Sequence, residues 1–282
     1  MRLSKRMIGL QRMWPYFVFL PDDVFLVSFP KSGNTWVRFL IANLLCPDED
    51  VNFGNIDRLI PESEQVTKRA ATRLRRPRIM KSHHAFDPRF PRVIYIVRDP
   101  RDVAVSQYHF YRKRRRISDD YPIQQFVSRF IAGTTSDYGS WGQNVASWVT
   151  TSYGNPAFQL LHYEDLIVNT SRELAKMVSF LDIPATPDAL SKAVQRSSPQ
   201  QMRKLESPDL HCSVIKGTRG DIPFVRSANA GGWKAELPES SVAELERAWS
   251  PLMEWLGYSP VTCTPPRTED ELLHVLLGKS LR

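Results

Sequence analysis

The chain has 282 residues, 42% hydrophobic and 24% charged, with seven Trp, fourteen Phe and nine Tyr, values that exclude a disordered chain and allow one sizeable α/β core, or at most two. A net charge of +8, from 38 Lys and Arg against 30 Asp and Glu, favours an anionic partner: a nucleotide, an acidic polymer or a membrane surface. Three widely spaced cysteines (Cys46, Cys212, Cys263) without a CxxC pair argue against a disulfide framework or zinc site and fit a reducing, cytoplasmic setting.

Residues 1–23 form a basic N-terminal segment. Arg2, Lys5, Arg6 and Arg12 alternate with Met1, Leu3, Met7, Ile8, Leu10 and Met13, a pattern that suits an amphipathic helix over 1–14, packed on the domain or in peripheral contact with lipid. The apolar run Trp14–Phe29 is broken by Pro21-Asp22-Asp23, too soon for a membrane span, and the N-terminus lacks the pattern of a signal peptide.

The next stretch organises the rest. Val24–Phe29 suits a buried strand and Thr35–Leu45 a helix, and between them lies Pro30-Lys31-Ser32-Gly33-Asn34. A strand, a tight turn and a helix start in that order make an anion site, because the first N–H groups of a helix lack intrahelical partners and sit at the positive end of its dipole. Gly33 lets the backbone approach a ligand closely. Ser32, Asn34 and Thr35 add short side chains able to donate to phosphate oxygens, and Lys31 adds a full charge. The Lys precedes the Gly by two residues, so this is not the GxxxxGK[ST] loop of a nucleoside-triphosphate site.

Lys68–Arg78 is a basic run, read as a solvated face or the entrance for an acidic acceptor. A short strand over Arg78–Met80 leads to Lys81-Ser82-His83-His84, and a buried strand over Pro91–Val97 ends in Arg98-Asp99-Pro100. Asp before Pro starts a helix, continued through Val103–Tyr111 and closed by the cations Arg112–Arg116. Helices are predicted at Ile123–Ile131, Trp141–Thr151, Thr170–Leu181, Asp188–Gln195, Gln200–Leu205 and Glu239–Leu256, and a fourth strand at Phe158–Leu161, before Tyr163-Glu164-Asp165-Leu166. Ser207–Ala230 is polar, with glycines and cations, and reads as a lid that is mobile until an anion binds. Residues 260–282 read as a linker and a small helix at Glu269–Leu277. Strands separated by helices imply an α/β fold with a mostly parallel central sheet flanked by helices, in a single domain over 24–259.

Four strand ends therefore carry reactive groups: Lys31, then Lys81 and His83, then Arg98, then Tyr163. Ligands bind at that edge of a parallel sheet. Trp36 offers either an indole face for a base or core packing. His109 and His162 are isolated in sequence, and no metal-ligand cluster is evident.

FPKSGNTW, KSHHAF, RDPRDVAVSQYHFY, YEDL and, loosely, VRSANAGGWK, from about Val24 to Trp233, occur in the order and spacing of known motifs. The chain resembles the sulfotransferases, of the cytosolic and bacterial type, that use 3′-phosphoadenosine 5′-phosphosulfate (PAPS) and release adenosine 3′,5′-bisphosphate (PAP). The resemblance implies a P-loop-like 5′-phosphosulfate loop from Lys31 to Trp36 and a 3′-phosphate site from Arg98 and Ser106. It makes Tyr163 a further nucleotide contact, adds Arg226 as a 3′-phosphate ligand, and implies no metal. It makes His83 the base for the acceptor hydroxyl, with His84 the rival, and Lys31 and Lys81 the stabilisers of developing charge. Ser227 and Ala228 stand where the related loop has Lys and Gly, and Pro199 where many relatives have an adenine-stacking Phe. The acceptor is a hydroxyl on a small molecule, a glycan or a lipid. Two other readings stay open: a P-loop kinase of a small hydroxyl substrate, and a basic nucleic-acid-binding protein using Lys68–Arg78 and Arg112–Arg116.

Overall fold

The apolar runs of the sequence form four strands in the computed structural model, which describes residues 18–66, 68–206 and 217–262. They are β1 (Val24–Ser28), β2 (Ile79–Ser82), β3 (Arg92–Val97) and β4 (Phe158–His162). Every pairing is parallel, in the order β2-β1-β3-β4. Helices cover both faces, which is why the strands read as continuous apolar runs and not as alternating ones. The alternation survives in the packing. Phe25, Val27, Val93, Tyr95 and Val97 enter one core, while Val24, Leu26, Ile94 and Ile96 enter the other.

Between β1 and β2 come α1 (Asn34–Leu45) and two single turns, α2 (Ile56–Leu59) and α3 (Lys68–Ala71). Between β3 and β4 come α4 (Pro100–Lys113), α5 (Ile123–Ile131) and α6 (Trp141–Ser152). After β4 follow α7 (Tyr163–Val168), α8 (Thr170–Phe180), α9 (Pro187–Arg196), α10 (Pro199–Lys204), α11 (Trp233–Glu236) and α12 (Glu239–Trp255). Residues of α4, α5, α6 and α12 build the first core; those of α1, α8 and α9 build the second. Local chemistry sets the ends: Asp99 caps α4 by accepting from Arg101 N, with Pro100 at the first position, and Ser140 and Gln143 form a capping box on α6.

The chain leaves β1 for β2 on one side and then crosses to β3 on the other. The crevice at the carboxyl ends of β1 and β3 is therefore the topological switch point, where ligands bind in open α/β sheets.

In the basic run Arg73, Arg75 and Arg76 are exposed, as a solvated face requires, but its cations also hold the fold together. Arg75 donates to the carbonyl of Leu45, Arg76 pairs with Asp22, and the buried Arg78 holds Asp23 at 2.5 Å. These cations clasp the entry to β1. The N-terminal helix expected over 1–14 and the helix at Glu269–Leu277 lie outside the described residues, as do residues 207–216 of the polar stretch. No helix among the described residues is long and apolar enough to cross a membrane.

Candidate active site

Parallel register aligns the strand ends. Val27 pairs with Ser82 and Tyr95, Ser28 with Ile96, and Val97 with His162, so the residues that follow each strand emerge at one edge. There Lys31, Gly33, Asn34, Thr35, Trp36, Lys81, His83, Arg98, Ser106, Tyr163 and Arg226 line a single cleft. Of the residues named from sequence, Ser32 lies outside this lining; it is buried, and its hydroxyl has no hydrogen-bond partner.

The loop is built by backbone geometry. Lys31 and Gly33 both take positive φ, 72° and 101°, and Gly33 is the N-cap of α1. Gly33 is required twice over, because a Cβ there would sit 2.4 Å from Cδ2 of Tyr163. Asn34 corrects the sequence reading. Its amide donates to the carbonyl of Leu26 (2.9 Å) and to Ser28 Oγ (3.3 Å), so the side chain fastens the loop to β1 and is not free to donate to a phosphate. The N-terminus of α1 remains as the anion-binding element. Trp36 donates its indole N–H to the carbonyl of Ser197 (2.9 Å) and meets Tyr163 edge-on.

Arg98 stacks its guanidinium 4.2 Å over the Tyr163 ring and donates to the carbonyl of Asn229 at 3.0 Å. Its Nε is buried without a hydrogen-bond partner, and Nη2 lies 3.8 Å from the carboxylate of Asp102. Ser106 stands two turns into α4. Arg226 lines the cleft but is held by Glu236 at 2.5 Å, and the other oxygen of Glu236 holds His109 at 2.5 Å, so His109 is not isolated. Ala228 adopts φ 50°, a left-handed conformation that the Gly of the related motif would take at no steric cost.

His83 Nδ1 lies 2.6 Å from the carbonyl of Ser28. A carbonyl only accepts, so Nδ1 carries the proton and Nε2 keeps its lone pair. Burial, reinforced by the charge of Lys81, pushes the imidazole well below its ordinary range and keeps it neutral. His84 Nε2 lies 2.5 Å from Glu64, a contact His83 does not make, and the rings of both histidines pack against Tyr138. Lys81 donates to Glu62 at 3.1 Å, a pairing not foreseen from sequence.

Burial, then the charges of Arg98 and Arg114, lower Lys31 to about 7. Phe110 and Phe224, absent from the sequence assignment, also line the cleft. For Phe110 a signal existed: it stands four residues after Ser106 and so shares its helix face. Asp102 was also missed. Its carboxylate accepts from the N–H groups of Gly231 (2.7 Å) and Trp233 (3.0 Å) and draws that loop to the start of α4.

A phosphate loop without the triphosphate signature, a neutral imidazole and convergent cations on a doubly wound sheet define a transferase for an anionic group. The family model for the sulfotransferase domain matches residues 21–257, and the chain belongs to that family. Sulfotransferase 1E1 of Bos taurus is 31% identical over 231 residues, 76% of this chain and 77% of its own. Mouse sulfotransferase SULT7A1 complexed with PAP superposes with a TM-score of 0.68 at 23% identity, covering 84% of this chain and 85% of that one. Retinol dehydratase, in complex with androsterone and inactive cofactor PAP, gives 0.68 at 16% identity, covering 94% and 87%. At those identities the structural likeness speaks for the fold.

Proposed function

We propose that residues 24–259 transfer a sulfuryl group from PAPS to the hydroxyl of a small-molecule acceptor in the cytoplasm. The observation that carries this reading is the convergence of Lys31, His83 and Arg98, from three strand ends, on one cleft at the switch point. The residues fit the donor: a helix N-terminus and Lys31 suit its 5′ end, and the unpartnered Nε of Arg98 with Ser106 suits its 3′-phosphate. Arg226 is a further 3′ ligand once an anion competes with Glu236. Trp36, Tyr163 and Pro199 offer apolar surface for adenine.

Sulfuryl transfer, like phosphoryl transfer, passes through a loose transition state with charge building on the leaving oxygen, so positioning and electrostatics do most of the catalysis. Lys31 stabilises that oxygen. His83, held through Nδ1, takes the acceptor proton on Nε2. Lys81, shared with Glu62, adds positive potential beside it. The androsterone-bound and retinol-bound neighbours in fold make an alcohol or phenol the acceptor class to try first.

PAP release from PAPS, measured across a panel of phenols and alcohols, tests the reading. Acceptor-dependent release that falls about 10²–10⁴-fold in His83→Gln is expected. Release that ignores the acceptor, or survives the substitution, contradicts it.

A further inference from the structure

Lys31 rests on aromatic faces as Arg98 rests on Tyr163, but Arg98 also has the carboxylate of Asp102 at 3.8 Å. Lys81 is tied to Glu62, Arg226 to Glu236, and Lys113, just behind, to Glu206. Among the described residues no carboxylate ion-pairs with Lys31. Its ammonium instead sits between two aromatic faces, 4.4 Å from the centre of Phe110 and 4.2 Å from that of Phe224.

Neither ring is there by accident of a mobile side chain. Phe110 is fixed on α4, one turn beyond Ser106, and meets Phe224 edge-on at 6.1 Å. Phe224 is set by its own backbone: Glu206 accepts from the N–H groups of Phe224 (2.6 Å) and Val225 (3.3 Å). Phe53 packs its ring against Phe224 at 5.9 Å. The positive φ of Lys31 sends its side chain off the loop toward this pair of rings.

We propose that Phe110 and Phe224 form an aromatic clamp that positions the Lys31 ammonium for sulfuryl transfer; this rests on the reading of Lys31 as the partner of the leaving oxygen. The clamp solves a conflict. A carboxylate partner would hold the cation too firmly, since that pair must break before the ammonium can reach the donor. Open water would leave it unplaced on a flexible stem. Aromatic quadrupoles favour the charge by a factor on the order of ten and occupy none of its three N–H groups. The clamp also ties Lys31 to the loop that carries Arg226, because Phe224 belongs to both.

The test separates cover from charge. Leu at position 224 keeps an apolar cover but has no quadrupole, whereas Tyr keeps both. Acetylation of Lys31 by acetic anhydride, mapped by mass spectrometry across the neutral range, reads the protonation of its amine without requiring turnover. The wild type is expected to be half-reactive near pH 7. Phe224→Leu should move that midpoint to lower pH, by as much as about one pH unit. It should also lower kcat roughly tenfold while PAP affinity at about pH 5, where Lys31 is charged in both proteins, stays within about twofold, and Phe224→Tyr should restore the midpoint and kcat. An unmoved or raised midpoint in Phe224→Leu, or equal activity in the Leu and Tyr variants, overturns the clamp. If Phe224→Leu does not fold, Phe110→Leu removes the opposite ring and carries the same expectations. Should the wild type transfer no sulfuryl group, the positioning role falls with the function, while the acetylation midpoints still decide whether the rings hold the charge.

Discussion

Burial moves Lys31 and His83, two of the titrating groups of the cleft, in the same direction. It disfavours charge on both, so Lys31 falls to about 7 and His83 lies well below 6.5. The consequences oppose each other. His83 is already neutral throughout the physiological range, as the proposed base must be. Lys31 must be charged to fill its proposed role, and in the free protein it loses its proton as pH rises through about 7. Since kcat/KM reports the free enzyme, its value for PAPS should fall above pH 7, approaching tenfold per unit, while kcat holds to higher pH because the bound anion restores the proton. A kcat/KM that is flat or rising through that range contradicts the assignment of Lys31. The placement of Lys31, His83 and Arg98 at one cleft was legible at this scale because His83 and Arg98 directly follow strands and Lys31 lies in the turn just after β1. The side chain of Asn34 was not: its partners are the carbonyl of Leu26 and Ser28 Oγ, and sequence does not say whether an amide in a phosphate loop turns outward or back.

The late loop shows what governs an element without regular structure. Its glycines and charges suggested a lid free to move without ligand. In the described part, 217–232, several of the polar groups are bonded to the rest of the fold. Lys113 donates to the carbonyls of Arg219 (2.8 Å) and Ile222 (2.6 Å), Glu206 receives Phe224 and Val225, and Asp102 receives Gly231 and Trp233. Lys113 lay within a run read as helix-closing cations, yet it is buried and serves as a dock. Lys113→Met should leave three acceptors without their donor. Amide exchange over 219–226 is then expected to accelerate on the order of tenfold or more, from roughly 1–3 kcal/mol of lost local stability. Exchange unchanged from the wild type would show that the dock does not hold the loop. The four strands and the longer helices were read to within a few residues because their signals, continuous apolar runs and an Asp-Pro start, are local, whereas the short α7 and α11 were not read as helices. The dock was illegible because its partners are 106 and 109 residues apart in the chain.

Much of the positive charge of the whole molecule is spent internally. Arg38 pairs with Asp57, Arg78 with Asp23, and Arg101 with both Asp99 and Glu246, each arginine buried. Arg112 and Arg219 share Asp119. The two basic runs that suggested a nucleic-acid partner are thus partly consumed by folding. The cleft at the switch point concentrates Lys31, Lys81, Arg98 and Arg226, and there an anion is wanted. The fold makes that concentration: one reversal of strand order sets the loop after β1 beside the loop after β3, with Arg98 Nη1 3.5 Å from the carbonyl of Lys31.

The central claim is that this cleft recognises a nucleotide by its 3′-phosphate through Arg98. Calorimetric titration of the wild type and of Arg98→Ala with adenosine 3′,5′-bisphosphate, ADP and adenosine 5′-monophosphate tests it most directly. A charge-assisted hydrogen bond contributes about 1.5–3 kcal/mol. The bisphosphate should therefore bind the wild type roughly tenfold to a hundredfold tighter than either other nucleotide, and Arg98→Ala should lose that margin while its affinity for the 5′-monophosphate barely changes. Preference for ADP, or equal losses for all three ligands in the variant, would contradict the account.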